Sequence, residues 1–239
     1  PLLLISIAEQ LISLFLKTAV LELNVARVEG SLHGSTPEER FQDFVQQVVQ
    51  HKGIPPLLEE YAVLTRQLVE CIDSWVTREQ ELLTRLCTDW QQICSTFTPE
   101  RHPGQLIEIH EGVGDAHRGG RSVTILTWSS RFRLVYKPHS LAIDTHFQEL
   151  LAWLNEHGQQ PPLRTFTILN KDTYGWAEFL RAASCTSHEE VERFYERQGS
   201  YLALLYALEA VDFHAENVIA MGEHPMLVDL ESLFHPLLK

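Results

Sequence analysis

The chain has no CxxC pair, no basic excess, no long uncharged apolar run and no initiator methionine. Each absence removes a class of function. Four cysteines without regular spacing (Cys71, Cys87, Cys94, Cys185) argue against a disulfide framework and predict structural thiols in a reducing cytosol. Cys87 and Cys94 fall on one helix face, as two buried thiols would. With 32 acidic residues against 19 basic, the formal charge is −13. Such a chain repels nucleic acid and anionic lipid, so no nucleic-acid partner is expected. The opening is apolar, but Glu9, Gln10, Lys17 and Glu22 interrupt it before the ~18–20 uncharged residues of a span are reached. No signal-peptide cleavage pattern follows. These readings predict a cytoplasmic protein with no membrane span. Because the last motif lies close to Lys239, the chain is expected to be a fragment of a longer protein.

What remains is an ordinary globular composition, 44% hydrophobic and 21% charged. Residues 1–104 read as helices. Apolar residues from Ile7 to Leu23 keep a helical period, and Ser35-Thr36-Pro37-Glu38-Glu39 is a capped helix start. Gly53-Ile54-Pro55-Pro56 predicts a break, and Leu57 to about Phe97 a single long helix. The segment Thr98–Gly104 marks a boundary. Residues 105–239 change to short alternating runs: strands at 106–110, 122–128 and 132–137, a helix at 144–157, and strands at 165–169 and 174–180. A long helix from Ser187 to Ala210 and a hairpin around Gly222 complete the order.

Chemistry concentrates near the end of the chain. Asp212, five residues before Asn217, and Asp229 after a short apolar run have the spacing of a phosphoryl-transfer site. There one Asp takes a hydroxyl proton, the Asn holds a metal ion, and the last Asp bridges metal and phosphates. Lys137, inside Leu134-Val135-Tyr136-Lys137-Pro138, lies where a small lobe would present its phosphate-binding lysine. Glu149 on the following helix is the expected acidic partner, although Asp144 caps the same helix. Between the first two strands, the glycine-rich stretch Gly112–Arg121 would fold over phosphates, with Gly112 and Gly114 allowing close approach and Arg121 supplying charge. Asp115 and His117 within it are unusual there. Together with His214, they could also be read as metal ligands, but an Asp/Asn magnesium site fits the chemistry better than zinc.

These blocks, in this order, resemble the dehydratase domain of class II (LanM-type) lanthipeptide synthetases. The resemblance is carried by Gly30-Ser31-Leu32-His33-Gly34-Ser35-Thr36-Pro37, Gly114-Asp115-Ala116-His117, Val135-Tyr136-Lys137-Pro138 and Tyr174-Gly175-Trp176-Ala177-Glu178-Phe179. Asp212-Phe213-His214-Ala215-Glu216-Asn217 and Val228-Asp229-Leu230-Glu231 complete it. It implies an α+β fold with a lipid-kinase-like (protein-kinase-like) core and a helical N-terminal region, truncated before the full large lobe. It also implies an enzyme of lantibiotic (bacteriocin) biosynthesis. Such an enzyme phosphorylates Ser and Thr of a leader-bearing ribosomal precursor peptide with ATP and Mg2+, then eliminates phosphate to give dehydroamino acids. Carried over residue by residue, Asp212, His214, Asp115 and His117 are catalytic, and Asn217 and Asp229 hold the metal. Lys137, Gly112, Gly114, Arg121 and Glu231 bind the nucleotide. Elimination residues and a zinc-bearing cyclase domain are expected beyond Lys239, and association with a peptide exporter is implied. Where the family has Arg after Tyr-Lys-Pro, this chain has His139, which lacks the bidentate fork. Two other readings of the same residues are a stand-alone small-molecule or lipid kinase and a non-catalytic peptide-binding pseudokinase.

Overall fold

The computed structural model describes residues 3–49, 54–117, 121–211, 213–230 and 233, with backbone alone at 54–56 and 113–117. The chain divides into two compact units, Pro1–Thr88 and Asp89–Lys239. The division falls inside a helix, ahead of the Thr98–Gly104 segment where the sequence pattern changes.

The first unit is helical. Helix α1 (Leu4–Glu29) ends at Gly30, whose left-handed φ of 71° returns Ser31 N to Ala26 O at 3.1 Å. The block that follows is a start signal for α2 (Pro37–Val49). Glu39 N donates to Thr36 Oγ1 at 3.2 Å, while Glu39 Oε2 accepts from Thr36 N at 3.2 Å and from Ser35 N. This is a reciprocal cap that satisfies otherwise orphaned N–H groups. Gly34 (φ 134°) has no room for a Cβ, which would stand 2.6 Å from Glu39 Cβ. Much of the family block at Gly30–Pro37 is therefore helix-capping geometry.

The predicted break and single long helix differ from what is found. Pro55 and Pro56 lie in the first turn of α3 (Ile54–Glu60), where a missing N–H costs no hydrogen bond. Helix α4 (Ala62–Phe97) begins after Tyr61. Helix α1 is, among the described residues, the one helix long and apolar enough to cross a membrane by length and composition, with a mean hydropathy of 1.7. It is not an uncharged run, since Glu9, Lys17 and Glu22 lie within it. Cys87 is exposed and Cys94 half-buried, so neither is a core thiol as expected.

In the second unit, α4 leads to β1 (Leu106–His117), β2 (Arg121–Trp128) and β3 (Arg133–Lys137). Then come α5 (Ala142–Glu156), β4 (Ile168–Asn170), β5 (Gly175–Glu178), α6 (His188–Ala207), β6 (Val218–Met221) and β7 (His224–Leu227). Strands β1–β5 form an antiparallel sheet in the order β1-β2-β3-β5-β4, and β6-β7 form a separate hairpin. Pairing of Leu126 with Leu134 and of Tyr136 with Trp176 puts four buried side chains on one sheet face. Trp90 stacks on Trp128 from the end of α4, with ring centroids 5.7 Å apart. A second core joins Phe147 and Leu151 of α5, Tyr201 of α6, Leu227 of β7, and Leu230 and Leu233 after the hairpin.

Candidate functional site

Lys137 ends β3 opposite Gly175 of β5. Its ammonium lies 3.2 Å from Asp144 Oδ1, and the two side chains keep only 13% and 3% of their accessibility. Pro138 ends the strand, and the short connection turns directly into α5, so the lysine meets the first helical turn. A carboxylate there also faces the positive end of the helix dipole. The expected partner, Glu149, is instead exposed and bonded to His146 at 2.9 Å. Five residues beyond Asp144, it points about 140° away around the helix. Close approach at this corner depends on Gly175, where a Cβ would stand 2.5 Å from Leu141 Cδ1.

The second part of the site is built by the turn before β6. Helix α6 starts on Ser187, whose Oγ accepts from Glu190 N at 3.3 Å. It carries the chain to Phe213, which packs against the second core. A single 3-10 turn, Ala215–Asn217, follows. His214 Nδ1 accepts from Glu216 N at 3.3 Å, and Asn217 Oδ1 accepts from His214 N at 3.0 Å. His214 thus braces the turn. Asn217 is buried, and its carbonyl accepts from Val228 N at 2.9 Å. That bond sets Asp229 directly beside the Asn217 turn. Asp229 is exposed and holds a left-handed φ of 60°, a conformation uncommon for a non-glycine residue. The β6-β7 hairpin is anchored by Arg197, itself buried. Its Nε donates to Pro162 O and its Nη1 to Glu223 O, both at 2.9 Å. The Arg193 guanidinium, hydrogen-bonded to Glu223, holds that carboxyl below its ordinary range against a small opposing push from desolvation.

The structure therefore brings together Lys137 with Asp144, and His214, Asn217 and Asp229 with one another. Asp212 and Glu231 lie outside the described residues, and so do the side chains of Asp115 and His117. The glycine-rich stretch is less of a loop than expected. Gly112 sits at a bulge with φ 75°, its N–H bonded to Ser122 Oγ at 2.9 Å, and the β1–β2 pairing then continues to His117 opposite Arg121. Gly114 belongs to that paired strand.

The donor set suits magnesium. Asn217 Oδ1 uses one lone pair on His214 N and keeps a second, and the Asp229 carboxylate is open to solvent. One or two protein oxygens suffice for an ion that retains water and takes phosphate oxygens. Among the described residues no three His, Cys, Asp or Glu side chains gather as a zinc site would require.

One important residue escaped the sequence reading. Asp89 is buried in α4, with its Oδ2 accepting from Trp176 Nε1 and Tyr174 Oη at 2.8 Å each, and its Oδ1 3.0 Å from Lys171 Nζ. Burial pushes its pKa up, but the Trp176, Lys171 and Tyr174 donors outweigh that and hold the carboxyl below its ordinary value. It braces the Tyr174–Phe179 block that pairs with β3. Its signal was an acid on the apolar stripe between Leu86 and Ile93.

Residues 61–239 match the family described as "Domain of unknown function (DUF4135)". The chain is 29% identical over 228 residues to the "Lacticin 481/lactococcin biosynthesis protein LcnDR2" of Lactococcus lactis subsp. lactis. That alignment covers 92% of this chain and 24% of that protein, so the chain spans about a quarter of the relative's length. The chain belongs to the DUF4135 family, and the resemblance to class II lanthipeptide synthetases drawn from its motif blocks holds.

Proposed function

We propose that this chain forms part of a lanthipeptide-modifying enzyme, with a kinase-like core that phosphorylates Ser and Thr of a precursor peptide and then eliminates phosphate. The observation that carries the reading is the Asn217–Val228 hydrogen bond, which sets a buried Asn beside an exposed Asp on one hairpin. The strand-end lysine with its buried acidic partner supports it. So does the likeness to the lacticin 481/lactococcin biosynthesis protein.

In this mechanism Lys137, oriented by Asp144, binds nucleotide phosphates. Asp212 accepts the proton of the substrate hydroxyl as its oxygen forms a bond to the γ-phosphorus of ATP and the bond to ADP breaks. Asn217 and Asp229 would hold Mg2+, which neutralises phosphate charge when bound. His214 keeps the turn closed so that Asn217 faces the site. Elimination removes the Cα proton as phosphate leaves Cβ, creating the carbon–carbon double bond. A cytoplasmic location fits this use of ATP.

The test is mass spectrometry of a precursor peptide incubated with full-length protein, ATP and magnesium. Phosphorylated and dehydrated peptide is expected. Asp212→Asn should lower phosphorylation by about 10²–10⁴-fold while nucleotide binding persists. Magnesium titrations should shift for Asp229→Ala and less for Asn217→Ala. A normal rate in Asp212→Asn removes that residue from the mechanism. Nucleotide binding without any phosphopeptide favours a pseudokinase, and transfer to a small alcohol instead of peptide favours a small-molecule kinase.

A further inference from the structure

One end of the five-stranded sheet carries a groove of about 900 Å³ that none of the candidate-site residues lines. Pairing of Thr127 with Arg133, and of Leu134 with Glu178, sets Thr127, Arg133 and Phe179 in one row across β2, β3 and the end of β5. The Arg133 guanidinium lies over the Phe179 ring, 4.8 Å from its centroid. At the β2–β3 turn, Arg131 has a left-handed φ of 69° and its N–H donates to Trp128 O at 2.8 Å, which fixes the backbone that presents its side chain. Arg181 follows Phe179 by two residues. All three arginines are exposed and line the groove. The one acid among the described lining residues is Glu178, and its Oε2 already accepts from Thr167 N at 3.1 Å. Trp128, Phe132 and Phe179 supply the apolar wall.

Three arginines therefore line one groove together with aromatic rings, on a chain whose formal charge is −13. Guanidinium forks match carboxylates bidentately, and aromatic walls accept apolar side chains. We infer that this groove binds an acidic, apolar-bearing segment of the peptide substrate, away from the residue undergoing chemistry. The inference rests on the proposed function insofar as it supposes a peptide substrate. Nucleotide phosphates are a poorer occupant. Arg133 and Lys137 are four residues apart on the same strand face, which separates the groove from the lysine by about 13 Å. Nucleic acid is a poorer occupant still, because the whole chain would repel it.

The experiment uses full-length protein and two fluorescein-labelled synthetic peptides, one alternating Glu and Leu and the other alternating Gln and Leu. Anisotropy should show the Glu/Leu peptide binding at least about tenfold tighter, with affinity falling as salt rises. Arg181→Gln and Arg133→Gln, each checked by thermal melting, should each weaken the Glu/Leu peptide several-fold and leave the Gln/Leu peptide unchanged. Arg181→Gln, which lies outside the paired strands, keeps the test valid if Arg133→Gln unfolds. Equal binding of both peptides overturns the inference, as does arginine-independent binding. A raised KM for ATP in these variants, with peptide binding unaltered, also overturns it by assigning the groove to nucleotide. Because peptide binding is read without catalysis, failure of phosphorylation with arginine-dependent binding intact would sink only the proposed function.

Discussion

The two compact units solve burial differently. Among the described residues, Pro1–Thr88 buries five apolar side chains and Asp89–Lys239 buries seventeen, a gap far wider than their lengths explain. In α1 only Ile7 is buried, while Leu4, Ile5, Ile12, Leu16 and Val28 are more than half exposed. The helices of the first unit are tied instead by polar contacts, such as Tyr61 to Glu22 and His33 N to Asp43 Oδ2. The second unit has a sheet with Leu126, Leu134, Tyr136 and Trp176 buried on one face and a helical core, and its polar groups brace the elements that carry the candidate site. Stability is thus concentrated where the chemistry is placed. Apolar surface removed from water contributes about 25 cal/mol per Å², and the first unit removes little.

The sharpest way to break this contrast is to remove Asp89. Asp89→Ala strips the shared acceptor from Trp176, Tyr174 and Lys171, and should cost about 3 kcal/mol or more by urea denaturation. A loss below about 1 kcal/mol would mean that the second unit does not depend on its polar brace. Next in size, Asp144→Ala leaves the largely buried Lys137 without its acid and should cost about 3 kcal/mol as well as most of the proposed phosphorylation activity. Glu149→Ala, on the exposed side of the same helix, should change stability by less than about 0.5 kcal/mol. If the two substitutions behave alike, the helix register assigned to this corner is wrong.

The gap between Asp144 and Glu149 shows what was legible in the sequence. Periodicity and caps located α1, α2, α5, α6 and the last hairpin, because those signals are local: Ser187 caps α6 as its sequence suggested. Which acid meets Lys137 depends on how strand and helix join, and no local pattern records that angle. The continuation of β1 beyond His110 was missed for a similar reason, since Gly112 and Gly114 read as loop until cross-strand pairing with β2 overrides their low strand preference. The Asn217–Asp229 neighbourhood was legible as spacing, but its hydrogen bond through Val228 was not.

A smaller effect separates the units by pH. The folded pKa of Asp89 is depressed, so its contribution is complete above the ordinary unfolded carboxylate value of about 3.9 and is lost as pH falls through the lower folded value. Urea midpoints measured from neutral pH downward should fall more steeply in the wild type than in Asp89→Asn. Parallel curves would show that the carboxylate is not ionised in the fold. The smallest effect is expected in α1, where Val28→Ser, at a side chain 82% exposed, should shift stability by less than about 0.5 kcal/mol. A large loss there would mean that this apolar surface is covered in solution.

Sequence alone determined the element order of the second unit, the cap that starts α2, and the residue types of the candidate site, because each is written in residues close along the chain. Tertiary structure alone decided that Asp144 rather than Glu149 holds Lys137, and that Asp89 braces β5. It likewise decided that Arg181 joins Arg131 and Arg133 in lining one groove. Those outcomes follow from sheet register and helix rotation, where one residue of shift turns a side chain to the opposite face.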